Sequence, residues 1–258
     1  TGNKFEFRAV GSSASIAFPI VLLNAAVAEA LGEITEQIAA NMKRGKSVDD
    51  VVLGVVREAF KETSAIRFEG NNYSEEWVKE AEKRGLPNLR RSPEALDQLL
   101  TRQSRTLLTK LGIFTKAELE SRFHVRLERY IKDMLIEAHT LKEIIDTLIL
   151  PASFSYSGSL AASAAHAVAA GIKSTPQVAA ANEIGEMIET LRERRDALDS
   201  VIGKAEHMHD DAVKQAKLLT GAVADAMASA REASDALELK VSDDVWPLPK
   251  YREMLFPV

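Results

Sequence analysis

Apolar positions recur at steps of three and four along most of the chain, the spacing of helices that bury one face. Pro19 suits a first helical turn, where its missing N–H would be unpaired anyway. From there Val21, Leu22, Ala25, Val27, Ala28, Leu31, Ile34, Ile38 and Met42 form a broad stripe, and Gly45 ends it. Ser47 caps a second, short helix with Asp49 and Asp50 in its first turn, where carboxylates favour the positive end of the dipole. Val51, Val52, Val55, Val56 and Phe60 give its expected buried face, and it ends near residues 63–66. Residues 68–89 are loop-rich, punctuated by Gly70-Asn71-Asn72 and Gly85-Leu86-Pro87. Between these turns Ser74 caps a helix of about three turns. Trp77 is expected as a core anchor under it, the alternative being a wall for a nucleotide or substrate. Ser92-Pro93-Glu94 opens a helix expected to run to about Lys110, with Leu96, Leu99, Leu100, Leu107 and Leu108 inward and Gly112 closing it.

Thr115 and Glu118 have the capping-box spacing. The helix they start is the longest clear one, with Leu119, Phe123, Leu127, Tyr130, Met134, Ala138, Leu141, Ile145 and Leu148 recurring until Pro151 stops or kinks it. Several heptads of this kind predict antiparallel bundle packing. In the serine- and alanine-rich residues 153–171, the first half can be read as a flexible linker and the second as a helix of small side chains. Ser174-Thr175-Pro176 begins the next helix, carrying Val178, Ile184, Ile188, Leu191, Leu198 and Ile202, with a break expected at Gly203. A last long helix is expected over residues 204–239, its seam formed by Ala205, Met208, Ala212, Leu219, Val223, Ala226, Ala230 and Leu237. Trp246-Pro247-Leu248-Pro249 ends it, and the tail docks as irregular chain with a short turn.

One stretch has a different period. Phe5-Glu6-Phe7-Arg8 alternates aromatic and charged residues, as a strand with one buried face does. Its two charges fall on one side, roughly 7 Å apart. A carboxylate and a guanidinium aimed into a shared cavity suit an anionic substrate with its metal ion. An exposed cross-strand ion pair at a sheet edge is the competing reading. A strand so near residue 1, with no earlier strand to pair with, leads us to expect a piece of a longer protein.

Composition narrows the function classes. The 258 residues are 46% hydrophobic and 28% charged, a globular balance able to bury a core. A net charge of −5 implies no strongly basic face, so nucleic acid is not an expected partner. The absence of cysteine excludes disulfides, thiolate metal sites and cysteine catalysis. Lys4, Glu6 and Arg8 interrupt any leader-like apolar run. The apolar residues 16–30 carry Glu29 and are read as too short for a membrane span, so no membrane is expected as a partner.

The run Gly2-Asn3-Lys4-Phe5-Glu6-Phe7-Arg8-Ala9-Val10-Gly11-Ser12-Ser13, followed by Ser15-Ile16-Ala17-Phe18-Pro19, resembles the end of the catalytic domain in type III glutamine synthetases. Further blocks resemble the same family: Asn72-Tyr73-Ser74-Glu75-Glu76-Trp77, Glu82-Lys83-Arg84-Gly85-Leu86-Pro87-Asn88-Leu89, Leu148-Ile149-Leu150-Pro151-Ala152 and Tyr251-Arg252-Glu253-Met254-Leu255-Phe256. From about residue 153 to 242 the likeness rests on helical character alone. The resemblance implies a C-terminal fragment, with residues 1–45 ending the catalytic domain and residues 46–258 forming a helical domain. The expected fold is mainly α: long antiparallel helices in a bundle, with a short N-terminal strand left over from the catalytic sheet.

The resemblance also implies ATP-dependent ligation of ammonia to glutamate through γ-glutamyl phosphate, in a cytoplasmic homo-oligomer of stacked hexameric rings. By it, Glu6 is a metal ligand, since a hard carboxylate oxygen suits Mg2+ or Mn2+. Arg8 contacts substrate glutamate and the transferring phosphoryl, for which a planar, permanent charge is suited. Lys4 takes a nucleotide-binding role where some relatives have an arginine. The fragment alone is expected to be inactive, and a helical oligomerisation or regulatory-partner module is the alternative function. His207-Met208-His209-Asp210-Asp211 has the composition of a metal site but not its helical spacing; only His207 and Asp211 pair, and a solvated face is expected. His124 and His139 are expected at the surface or bundle edge, and Arg192-Glu193-Arg194-Arg195-Asp196 as a solvated face.

Overall fold

The computed structural model describes residues 14–42 and 47–255. The described residues form helices and connecting turns, with no strand among them. The strand expected at residues 5–8 and the domain boundary expected at residues 45–46 lie outside the described residues. The chain divides into two compact units, residues 1–90 with 94–123 and residues 91–93 with 124–258.

In the first unit, helix α1 (Ala17–Met42) packs against α2 (Val48–Glu62) and α5 (Arg102–Lys110). Its side carrying Phe18, Leu22 and Ala25 meets a small core of Leu99, Leu108 and Leu119. The broad stripe expected to be buried on α1 is mostly uncovered: Ala25 is the one buried residue of the helix, while Val27 and Leu31 are exposed. α2 begins as its sequence predicts, Ser47 Oγ accepting from the Asp50 N–H. Only Val51 and Val55 of its expected face are buried, and Val52, Val56 and Phe60 lie exposed. A 3-10 turn, Thr63–Ile66, ends it. Ser74 caps α3 (Glu75–Lys83) by accepting from the Trp77 N–H.

The single helix expected over residues 92–110 is instead three pieces: α4 (Ser92–Asp97), a 3-10 turn (Gln98–Leu100) and α5. Thr101 is the reason. Its backbone is extended (φ −62°, ψ 155°) and its hydroxyl accepts from the Ser104 N–H, so it serves as a fresh N-cap. Gly112 closes α5 with φ of 65°, a left-handed conformation that glycine adopts without a Cβ clash. Thr115 and Glu118 then start α6 (Lys116–Ile144) with the reciprocal bonds of a capping box: the Glu118 N–H to Thr115 Oγ1 at 3.2 Å, and the Thr115 N–H to Glu118 Oε2 at 2.8 Å. Bonds from the Thr115 backbone and hydroxyl hold the Glu118 carboxyl below the usual carboxylate range.

In the second unit α6 runs into a π-helical turn, Ile145–Ile149, and on into α7 (Leu150–Ala169). Of the stop or kink expected at Pro151, the stop is not present, and residues 153–159, readable as a linker, are helical. The Leu150 N–H bonds to the Ile145 carbonyl, five residues back. The widened turn therefore precedes the residue whose missing N–H and ring would strain an α turn. Ser153, expected in the linker, is fully buried and bonds to the Ile149 carbonyl at 2.8 Å. α8 (Thr175–Glu206) packs between α7 and α10 (Ala224–Glu238), presenting Ile184, Ile188, Leu191, Leu198 and Ile202 to them.

The helix break expected at Gly203 falls later, at residues 207–210. Asp211 then caps α9 (Ala212–Leu218), a second π turn spans Leu219–Val223, and α10 follows. The final helix thus starts eight residues later than its sequence suggests, because Asp211 accepts from the Lys214 N–H and resets the register. Leu219, Val223, Ala230 and Leu237 are fully buried, so the seam of the last helices is closed within the chain. Val241 and Trp246 are buried as well, and a short helix, α11 (Tyr251–Leu255), follows the Trp-Pro-Leu-Pro segment.

Candidate functional site

Lys4, Glu6 and Arg8, the residues on which the expected chemistry rests, lie outside the described residues. The described chain begins just after them, with the Ala17 N–H bonded to Ser15 Oγ at the start of α1. Among the described residues, no group of three or more His, Asp or Glu side chains is placed to hold a metal.

The histidine-rich stretch after α8 is one reason. His207 Nδ1 contacts the Gly203 carbonyl at 2.6 Å, and Asp211 caps α9 while its carboxylate pairs with Lys214. The Lys214 pairing holds the Asp211 carboxyl below its ordinary range. His209 and Asp210 stand in solvent beside each other. The one spacing suited to a shared ligand is therefore spent on two helix ends.

The densest charged cluster links α6 and the π turn after it to α8. Arg195 reaches Asp146 with both arms of its fork, Nε to Oδ1 at 2.7 Å and Nη2 to Oδ2 at 2.5 Å. It also donates to Asp196 at 3.0 Å. Lys142 Nζ donates to Asp199 at 2.5 Å, and His139 Nε2 meets Glu206 Oε1 at 2.9 Å. The Asp146 contact raises the Arg195 guanidinium further above its ordinary value, and the Lys142 bond holds the Asp199 carboxyl low. Arg194 turns the other way, onto the Ser229 carbonyl and hydroxyl of α10 at 2.9 and 3.0 Å. Residues 192–196 are thus only partly the solvated face expected of them: Arg192 and Glu193 are exposed, while Arg194 and Arg195 clamp helices. His139 sits at the bundle edge as expected. Each cation of this ladder has an acid or carbonyl partner, an arrangement that joins helices rather than activating a nucleophile.

Two further side-chain groups were not legible as such in the sequence. Tyr130 and Thr220 share a hydrogen bond that ties α6 to the second π turn. In the first unit Trp77 stacks on Phe68 with ring centroids 4.4 Å apart, and Arg84 lies 5.5 Å over the Trp77 ring. Arg84 also donates to the Arg67 carbonyl at 2.8 Å and to Glu80 at 2.7 Å, holding the Glu80 carboxyl below its ordinary range. Trp77 is only partly buried, so it braces the loop before α3 rather than serving as the core anchor expected of it.

Three of the motif blocks quoted above, at residues 72–77, 82–89 and 148–152, fall on joints of this fold. Ser74 and Trp77 start α3, Gly85 (φ 74°) ends it, and Pro151 follows the first π turn. A family description, glutamine synthetase C-terminal domain, matches residues 51–168, from α2 almost to the end of α7. Over 99% of its length the chain is 34% identical to a glutamine synthetase of Bacteroides fragilis (strain YCH46) and 35% identical to the type-3 glutamine synthetase of Dictyostelium discoideum. A glutamine synthetase of Butyrivibrio fibrisolvens is 30% identical over the same share. Residues 51–168 thus match the glutamine synthetase C-terminal domain, and the chain as a whole is similar to glutamine synthetases, a type-3 enzyme among them. It spans only about a third of the length of these curated relatives: 36%, 35% and 36% of them respectively. Within this glutamine synthetase region, the described residues supply helix joints and inter-helix clamps.

Proposed function

We propose that the chain is the C-terminal part of a glutamine synthetase that ligates ammonia to glutamate at the expense of ATP, and that by itself it is inactive. The observation that carries this reading is the alignment of 99% of the chain with proteins named glutamine synthetase, at 30–35% identity. In the proposed reaction the side-chain carboxylate of glutamate attacks the γ-phosphate of ATP, releasing ADP. Ammonia then displaces phosphate from the γ-glutamyl phosphate.

In this reading Arg8 binds the substrate and stabilises the transferring phosphoryl, whose charge is spread over oxygens that a guanidinium fork can meet. Lys4 contributes charge toward the nucleotide. Glu6 holds a divalent ion, Mg2+ or Mn2+, which when bound neutralises phosphate charge. The ligands that would complete that site belong to the remainder of the polypeptide. A cytoplasmic homo-oligomer of stacked hexameric rings belongs to the same reading. So does the alternative, a helical module for assembly or a regulatory partner, which the uncovered apolar face of α1 and α2 favours for the isolated chain.

The test is glutamine formation with the complete polypeptide and with this chain alone. Activity in the first, dependent on ATP and glutamate and lost with Arg8→Ala, is expected. Turnover by the 258-residue chain itself would overturn the reading.

A further inference from the structure

One side of α7 is left open by the chain. Residues 147–172 contain no Asp, Glu, Lys or Arg. The helix packs on α8 and buries Ser153 and Ala164, while Ser155, Ser159 and His166 are exposed on another side. At 100° per residue, Phe154, Gly158, Ala161, Ala165 and Val168 share a third side, within about 80° of arc, and all five are exposed. Phe154 and Val168 are 50% and 64% accessible, and so is Ile172, at 63%, just past the turn where Gly171 ends the helix. Nothing in the chain lies within 4 Å of where a Cβ on Gly158 would stand. Glycine inside a helix is destabilising relative to alanine, so Gly158 carries a cost that no neighbour within the chain explains. A charge-free open side with large apolar residues at its ends is a contact surface.

The order of sizes on this side complements itself when reversed. Ala161 and Ala165 lie two residues either side of position 163, and Gly158 and Val168 lie five residues either side of it. We infer that this side of α7 is the seat of the α7 of a second copy of the chain, packed antiparallel about a two-fold axis beside residue 163. Each copy then places Val168 in the open space over Gly158 of the other, and Ala161 faces Ala165 twice. Phe154 arrives at the end where Ile172 is exposed. A two-fold contact requires such a self-complementary surface, and small residues at its centre let the two backbones approach closely. No charge is desolvated and no like charges are brought together. Among the described residues α1 alone is long and apolar enough to cross a membrane, contrary to the reading of residues 16–30 as too short. α7 is not, which disfavours a bilayer as its cover. The pairing stands whether or not the chain is part of a ligase.

A single helix pair is a small interface, so the test traps it covalently. The chain has no cysteine, and introduced thiols therefore report the contact without background. Ala161→Cys and Ala165→Cys are prepared separately, mixed, and oxidised with copper–phenanthroline. The pairing sets these two positions opposite each other, whereas in either variant alone the two thiols are offset by about 6 Å along the helix axis. The mixture is expected to form disulfide-linked dimers about tenfold faster than either variant alone. Adding Gly158→Leu to both partners fills the open space and lowers the rate to that of the single variants. Thermal unfolding should show the fold kept, since the added side chain meets nothing within the chain. No dimers from the mixture, equal rates in mixed and single samples, or a rate indifferent to Gly158→Leu each overturn the inference. Dimers formed by the 258-residue chain but not by the complete polypeptide overturn it in favour of a side covered by the rest of that polypeptide. Dimers lost when phosphatidylcholine vesicles are added overturn it in favour of a bilayer. None of these outcomes depends on glutamine formation, so they leave the function proposed above to its own test.

Discussion

Helices α1 and α8 are both long and both carry apolar residues at helical spacing, yet the chain covers only α8. Leu191, Leu198 and Ile202 of α8 are essentially inaccessible between α7 and α10, and its outward positions, such as Glu186, Glu189 and Glu193, are charged. α1 buries Ala25 and leaves Ile20, Val27 and Leu31 in the open. The difference is one of angular distribution. In α8 the apolar residues occupy a single stripe that two neighbours can close. In α1 they occupy opposite sides, and one layer of neighbours covers half. Periodicity predicts a helix in both cases, but the number of separate apolar faces indicates how many partners it needs.

The largest effect expected from this contrast is in the core of the second unit. Leu198→Ala should lower the stability of the chain by about 3 kcal/mol, since it empties a site with no access to solvent. Leu31→Ala, on the open side of α1, should stay within about 0.5 kcal/mol. Urea unfolding followed by circular dichroism measures both, and equal losses would erase the contrast between the helices. Next comes the clamp between the π turn and α8. Arg195→Ala strips the partly buried Asp146 of its bidentate partner and should cost about 1–2 kcal/mol, discounted because about a quarter of the arginine side chain meets water. Arg195→Lys should recover only part of this in the same unfolding assay, because an ammonium cannot reproduce the fork.

A smaller loss, about 1 kcal/mol, is expected for Thr115→Ala, which removes the acceptor for the Glu118 N–H at the start of α6. Hydrogen exchange in the first turn of α6 should rise with it, and unchanged exchange would mean that the cap does not hold that turn. The smallest effect concerns pH. The Asp199 carboxyl is held low by Lys142, so its contribution is present above the ordinary carboxylate pKa of about 4 and fades as pH falls through the lower folded value. The stability difference between the chain and Asp199→Asn should therefore be level near neutrality and shrink in acid. A difference that grew on acidification would contradict the pairing.

Helix joints were the most legible feature of the sequence, because each is decided within a few residues. Ser47, Ser74 and Thr115 cap as their spacing predicts, and Gly112 closes α5. Two joints were missed for an equally local reason. Thr101 and Asp211 are good N-cap residues inside apolar patterns that otherwise run on, so periodicity alone passes over them. Pro151 marks a joint but not a stop. Its helix continues because the turn before it widens, and nothing in Ile145-Asp146-Thr147-Leu148-Ile149 announces a π turn. The chemistry proposed for Lys4, Glu6 and Arg8 was legible only through resemblance, since an alternating strand with two charges is equally an edge ion pair.

By itself, the sequence determined the helical content, most of the caps and the likeness to glutamine synthetases, because these depend on spacing, on side chains bonding backbone within one turn, and on motifs in order. Only the tertiary structure decided which apolar faces are covered and which charges meet. Arg195 finds Asp146 across 49 residues of chain, and α1 keeps one side open, because pairing and burial depend on neighbours that no local pattern names.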